Sequence, residues 1–144
     1  VRLDGSVDDT VTALPTSSRG GLMVSPDGRW MAWSSAETGR REVYVEPFGR
    51  PGSRVQVSLG GGRTPSWSRD GRSLYYVSEH TLFESTVRAG ATFACDPPAP
   101  VFTANAEIDS YDVAPDGKKF LVLPSPPPDF LPFNVIVNWP AKIR

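Results

Sequence analysis

A nucleophile needs a base to activate it, and this sequence offers one histidine, His80, and one cysteine, Cys95. His80 falls in the short Ser78-Glu79-His80-Thr81 connection, where it reads as a solvated loop histidine and not as the base of a catalytic set. No Gly-x-Ser-x-Gly elbow is present, so there is no hydrolase machinery to assign. One His and one Cys cannot supply a nitrogen and sulfur metal site, and the recurring Asp27, Asp70 and Asp116 are explained by turn chemistry. Gly60-Gly61-Gly62-Arg63 lacks the Lys-Ser/Thr that completes a phosphate loop and reads as a crossover between strands. No catalytic residue, metal ligand or cofactor is therefore assigned. A single cysteine forms no intrachain disulfide, and packing is its expected role.

The elements that position these residues belong to one domain. The chain has 144 residues, 39% of them hydrophobic, with 15 basic and 16 acidic residues interspersed for a net charge of −1. No basic face marks a nucleic-acid or anionic-membrane partner. No apolar run approaches the roughly 20 residues of a membrane helix, so direct membrane insertion is not expected. The start, Val1-Arg2-Leu3-Asp4, has neither initiator Met nor signal-peptide character, and the chain is expected to be cut from something longer. Fifteen Pro and 13 Gly punctuate short β-branched and aromatic runs. The class is all-β.

A repeat organises the chain. Ser25-Pro26-Asp27-Gly28, Ser68-Arg69-Asp70-Gly71 and Ala114-Pro115-Asp116-Gly117 begin 43 and then 46 residues apart, each followed by a basic residue and an apolar strand. Proline presets the first central position of a type I turn, Asp bonds backbone amides locally, and Gly takes the left-handed conformation that closes the hairpin. Gly28, Gly71 and Gly117 are accordingly expected to resist substitution. After the turns, Met31, Leu74 and Phe120 are equivalent, as are Trp33, Tyr76 and Val122 two residues on, so period two puts each pair on one sheet face.

Four strands surround the first turn: 21–24, 30–34, 41–46 and 54–59. Four surround the second: 64–67, 73–77, 81–86 and 99–103. The third copy supplies 108–113, 119–123 and 134–139 only. Residues 1–18 read as the tail of an earlier unit, with an outer strand at 10–14. The expected division is 1–18, 19–60, 61–105 and an incomplete 106–144.

The Ser-Pro-Asp-Gly-basic-x-apolar-Ala-Trp pattern, with Val43-Tyr44-Val45 some ten residues later, resembles the TolB-like β-propellers, relatives of WD-repeat propellers. Glu42 to Phe48, Gly61 to Ser68 and the terminal Val135-Ile136-Val137-Asn138-Trp139 are similar to the closing blades of propellers attached to bacterial serine/threonine kinases. The resemblance implies a fragment of about three four-stranded blades, half of a six-bladed ring, ending near a natural C-terminus. It also implies a sensor or scaffold role and a periplasmic or otherwise extracytoplasmic location. Departures are Arg69 for Pro, Ala114 for Ser, and the proline-rich 124–132 interruption, which reads as an irregular connection although a polyproline II ligand is the alternative.

Three blades leave apolar sheet faces open, which calls for the remainder of the parent chain or a homodimer that completes the ring, residues 10–14 of each copy adding to the last blade of the other. Trp33 and Trp67 are expected in the core; Trp30, whose repeat equivalents are polar, is expected at the surface. A ligand would sit where first strands line a central channel, at Arg19, Gly20, Gly62, Arg63, Asp109 and Ser110. The leading expectation is a non-catalytic module that binds protein or peptide. Two others stand beside it: a propeller enzyme acting on a small molecule in the channel, and a purely structural half-ring.

Overall fold

A computed structural model of the chain describes residues 19–88 and 90–126. The expectations for residues 1–18, for the 134–139 strand and for most of the proline-rich connection lie outside the described residues. Within them the chain is all-β, with eleven strands and no helix. They are β1 (Arg19–Val24), β2 (Trp30–Ser35), β3 (Glu42–Pro47), β4 (Val55–Gln56), β5 (Arg63–Trp67), β6 (Ser73–Ser78), β7 (Thr81–Arg88), β8 (Ala94–Cys95), β9 (Ala99–Thr103), β10 (Ile108–Val113) and β11 (Phe120–Pro124).

Three antiparallel sheets result. The first has the order β1-β2-β3-β4; the second runs β5-β6-β7, with β9 and the short β8 both pairing β7; the third is β10-β11. Each hairpin between a first and second strand is closed by the repeated turn. The amides of Gly28, Gly71 and Gly117 donate to the carbonyls of Ser25, Ser68 and Ala114 at 2.8 to 2.9 Å. The same glycines have φ of +70°, +71° and +67°. A side chain at those angles is strained, which is why glycine stands there.

Alternation along the second strands assigns the faces. Trp30 and Ala32 of β2 pack with Val43, Val45 and Val57 against Trp67, Leu74 and Tyr76 of the second sheet. On the other face of β2, Met31 and Trp33 cluster with Tyr44. The second sheet repeats the arrangement one step on: Tyr75 and Val77, with Leu82 and Phe102, meet Ile108, Val122 and the partly buried Tyr111, Val113 and Phe120 of the third. The middle sheet is thus covered on both faces, and Leu74 and Tyr76 look back while Tyr75 and Val77 look forward. Burying these side chains, at about 1.5–3 kcal/mol each for an aliphatic or aromatic group, is what holds the sheets together.

Three sequence expectations need correction. Trp30 is buried, at 7% exposure, because Phe93 from the segment between β7 and β8 packs edge-on against its ring at 5.5 Å. The strand expected at 54–59 is cut to Val55–Gln56 because the Ser58 hydroxyl, and not a backbone carbonyl, accepts the Val43 amide at 2.8 Å. β8 was not anticipated. It forms because β7 runs on past its pairing with β9 to Arg88, so that Val87 and Arg88 take Cys95 and Ala94 as partners.

Candidate functional site

The first strands of the three sheets, β1, β5 and β10, lie beside one another: β5 packs against both β1 and β10. Side-chain donors tie each to the backbone of the one before. The Trp67 indole donates to the Met23 carbonyl at 3.0 Å, and the Tyr111 hydroxyl donates to the Thr64 carbonyl at 2.8 Å. Arg63 completes the seam, donating to the carbonyls of Ile108 and of Asp109 (3.1 Å) and to the Glu107 carboxylate (3.0 Å). A guanidinium suits this position because its planar fork serves several acceptors at once.

All three first strands are bulged. The register slips between Gly20 and Met23 in β1, between Arg63 and Ser66 in β5, and between Ile108 and Ser110 in β10. The two complete repeats place a left-handed residue at the same position of the bulge, Gly21 at φ +63° and Thr64 at φ +49°. Glycine accepts this freely; a β-branched threonine does not. Thr64 also buries its Oγ1 without a hydrogen-bond partner. Bulges and strained residues of this kind re-aim side chains and concentrate at binding sites.

The six residues expected at the site divide by what surrounds them. Arg19 opens β1. The Gly20 carbonyl accepts the Ser34 hydroxyl at 2.9 Å. Arg63 and Asp109 are brought together, through the Asp109 carbonyl and not its carboxylate. Asp109 and Ser110 present their side chains to solvent. Gly62 is buried, and a Cβ there would stand 2.7 Å from Ser58 and 3.0 Å from Tyr76 and Val43, so close packing accounts for it. Beside these polar groups β1 exposes Leu22, Met23 and Val24 in succession.

The turn aspartates make the bonds expected of them. Asp27 Oδ1 accepts the Ser25 hydroxyl at 2.5 Å and the Arg29 amide at 3.1 Å. Asp70 Oδ1 accepts the Ser68 hydroxyl at 2.7 Å and the Arg72 amide at 3.0 Å. The serine bond, then the amide, holds both carboxyls below the ordinary aspartate range. Asp116 Oδ1 accepts only the Lys118 amide, at 2.9 Å, since Ala114 has no hydroxyl to offer. Between the second and third turns lies a surface groove of about 380 Å³, with Asp70, Asp116, Ser73 and Tyr75 on its walls.

His80 is exposed in the β6–β7 loop, and its carbonyl accepts the Ala104 amide at 2.7 Å. Burial, assisted by Asp96, pushes the Cys95 thiol up, which disfavours the reactive thiolate. Burial pushes Tyr76 to about 12. Among the described residues no group of three or more His, Cys, Asp or Glu could hold a metal ion. No described helix is long and apolar enough to cross a membrane.

Two residues that sequence reasoning missed matter here. Thr64 was discoverable, because aligning the repeats sets it against Gly21. Tyr111 carried only the weak signal of an aromatic amid the polar residues of β10, and its acceptor is a backbone atom 47 residues away. No protein-family model matches the chain. No curated protein matches it significantly either.

Proposed function

We propose that this chain is a run of β-propeller blades, of TolB-like type, that acts as a non-catalytic interaction module for a protein or peptide. What supports the reading is the seam of bulged first strands, along which β1 exposes Leu22-Met23-Val24 next to Gly20, β5 carries Arg63, and β10 exposes Asp109 and Ser110. Apolar surface edged by polar groups is the usual make-up of a protein-binding patch. A sensor or scaffold role within a larger bacterial protein is what the resemblance of Glu42 to Phe48, Gly61 to Ser68 and Val135 to Trp139 to kinase-attached propellers implies, and a second copy, or the rest of a parent chain, would complete a six-bladed ring.

Selection of a displayed random-peptide library against the chain tests the module. Selected peptides should bind saturably and lose affinity on Leu22→Glu or Ser110→Arg, while Lys118→Glu on the turn side leaves them unaffected. Peptides that ignore the first two changes would place recognition elsewhere. Light scattering tests the ring: twice the 15.6 kDa chain mass is expected, and a monomeric mass would rule out closure by a second copy.

A further inference from the structure

Two guanidinium groups are held against one indole on the turn side of the first sheet. Arg29 stands 5.6 Å and Arg50 5.2 Å from the centroid of the Trp30 ring. Arg29 is further fixed by an Nη2 bond of 2.7 Å to the Gly90 carbonyl, the segment that also delivers Phe93 to the far side of the cluster. Trp30 itself is buried, so the ring is a rigid platform, and both arginines are exposed.

What separates this pair is that two guanidiniums share one ring; like Arg41, Arg69 and Arg72 they form no ion pair among the described residues, whereas four other arginines do. Arg40 pairs with Glu42, Arg54 with Glu37, Arg63 with Glu107 and Arg88 with Asp96. Arg54 is the instructive comparison, since it too lies over aromatic rings, Tyr44 at 4.8 Å and Trp33 at 5.8 Å, yet Glu37 neutralises it at 2.8 Å. Neither Arg29 nor Arg50 forms an ion pair among the described residues. The acid nearest Arg29 in sequence, Asp27, feels its charge but forms no ion pair with it, spending its Oδ1 on the Ser25 hydroxyl and the Arg29 backbone amide. Two like charges over one ring repel each other, and stacking covers one side of each guanidinium while leaving its N–H edge free to donate. An oxyanion within reach of either head accepts charge-assisted hydrogen bonds from it, and one that reaches both also offsets their mutual repulsion.

We propose that Arg29 and Arg50, presented on Trp30, bind an oxyanionic side chain of a peptide, either a carboxylate or a phosphate monoester. The site is on the turn side, apart from the first-strand seam, and does not depend on that seam binding anything. Its apolar floor sets it apart from a diffuse basic patch, and only one or two anionic groups can be served.

Three peptides test it at fixed chloride concentration: acetyl-Gly-Gly-Glu-Glu-Gly-amide, the same peptide with phosphoserine for both glutamates, and the same with glutamine. Binding is read from tryptophan fluorescence, since an anion drawing the guanidiniums changes the surroundings of Trp30. The glutamate or the phosphoserine peptide should give a saturable change, whichever is tighter naming the natural group, and the glutamine peptide none. Arg50→Gln, which removes no hydrogen bond of the fold, should weaken binding roughly tenfold. Arg29→Gln with Arg50→Gln should abolish it, and Arg54→Gln should leave it unchanged. Equal responses to all three peptides, or undiminished binding by Arg50→Gln, would overturn the proposal.

Discussion

The phenolic hydroxyl of Tyr111 donates to the carbonyl of Thr64 across 2.8 Å, joining the first strand of the third sheet to the most strained residue of the second. Thr64 is left-handed at φ +49°, and its own hydroxyl is buried without a partner. The Tyr111 bond fastens the bulge from outside. Tyr111→Phe should therefore cost about 1 kcal/mol, the usual net worth of one such bond. Thr64→Gly, matching Gly21 in the preceding repeat, should raise stability by about 1 kcal/mol by relieving strain. Urea denaturation of the two variants measures both, and a destabilised Thr64→Gly would mean that the threonine side chain contributes packing that outweighs its conformation.

The three turns form a natural substitution series. Ser25 and Ser68 each donate to the turn aspartate and accept the amide five residues on, at 3.0 and 2.9 Å, whereas Ala114 does neither. Ala114→Ser should stabilise by about 1 kcal/mol and Ser68→Ala should destabilise by a similar amount. Because the folded carboxyls of Asp27 and Asp70 are depressed below 3.8, their contribution is full above that value and is lost as pH falls through the folded values. Melting temperature should accordingly drop on acidification below pH 4 more shallowly in the Ser25→Ala, Ser68→Ala double variant. An unchanged slope would show that the serines do not set the acid response.

Two glycines should fail for different reasons. Alanine at Gly62 drives a methyl into Ser58, Tyr76 and Val43, so Gly62→Ala should cost about 1–3 kcal/mol through overpacking. At Gly28 nothing lies within 4 Å of an added methyl, and the cost comes from φ +70° alone, about 1–2 kcal/mol. Asparagine, which tolerates left-handed backbone, should recover much of the loss at Gly28 and none at Gly62. Thermal melts of Gly28→Asn and Gly62→Asn separate the two mechanisms.

Arg63 ends among two carbonyls and one carboxylate of the third sheet, while Glu107 is more than half exposed. Arg63→Met keeps much of the stem packing but abandons three acceptors, and should cost about 1.5–3 kcal/mol. Glu107→Gln removes only a solvent-screened charge and should cost under about 1 kcal/mol. Comparable losses in denaturant titrations would assign the seam to the ion pair instead of the carbonyls.

The turns and second strands were legible because local chemistry specifies them: Pro, Asp and Gly have fixed uses in a tight hairpin, and period two sorts Leu74 and Tyr76 from Tyr75 and Val77. Trp30 was misread because its repeat equivalents, Ser73 and Lys119, are polar; its burial depends on Phe93, 63 residues later, a contact that no local pattern announces. The shortening of β4 turns on a single hydroxyl, Ser58, replacing a main-chain acceptor, which strand propensity does not register. Of the expected site, Arg63 and Asp109 were placed together by repeat position alone. Gly62 was named for the same reason, yet its neighbours make it a packing residue.

At both junctions among the described residues the forward face of one sheet, as in Trp30 and Ala32, meets the backward face of the next, as in Leu74 and Tyr76. Such an arrangement has polarity, so a tandem duplication of one whole unit would confront each neighbour with a face of the correct kind. Inverting a unit would not. A chain built on this repeat should therefore tolerate a change of length by one whole unit, gaining or losing surface on the seam without a new kind of junction.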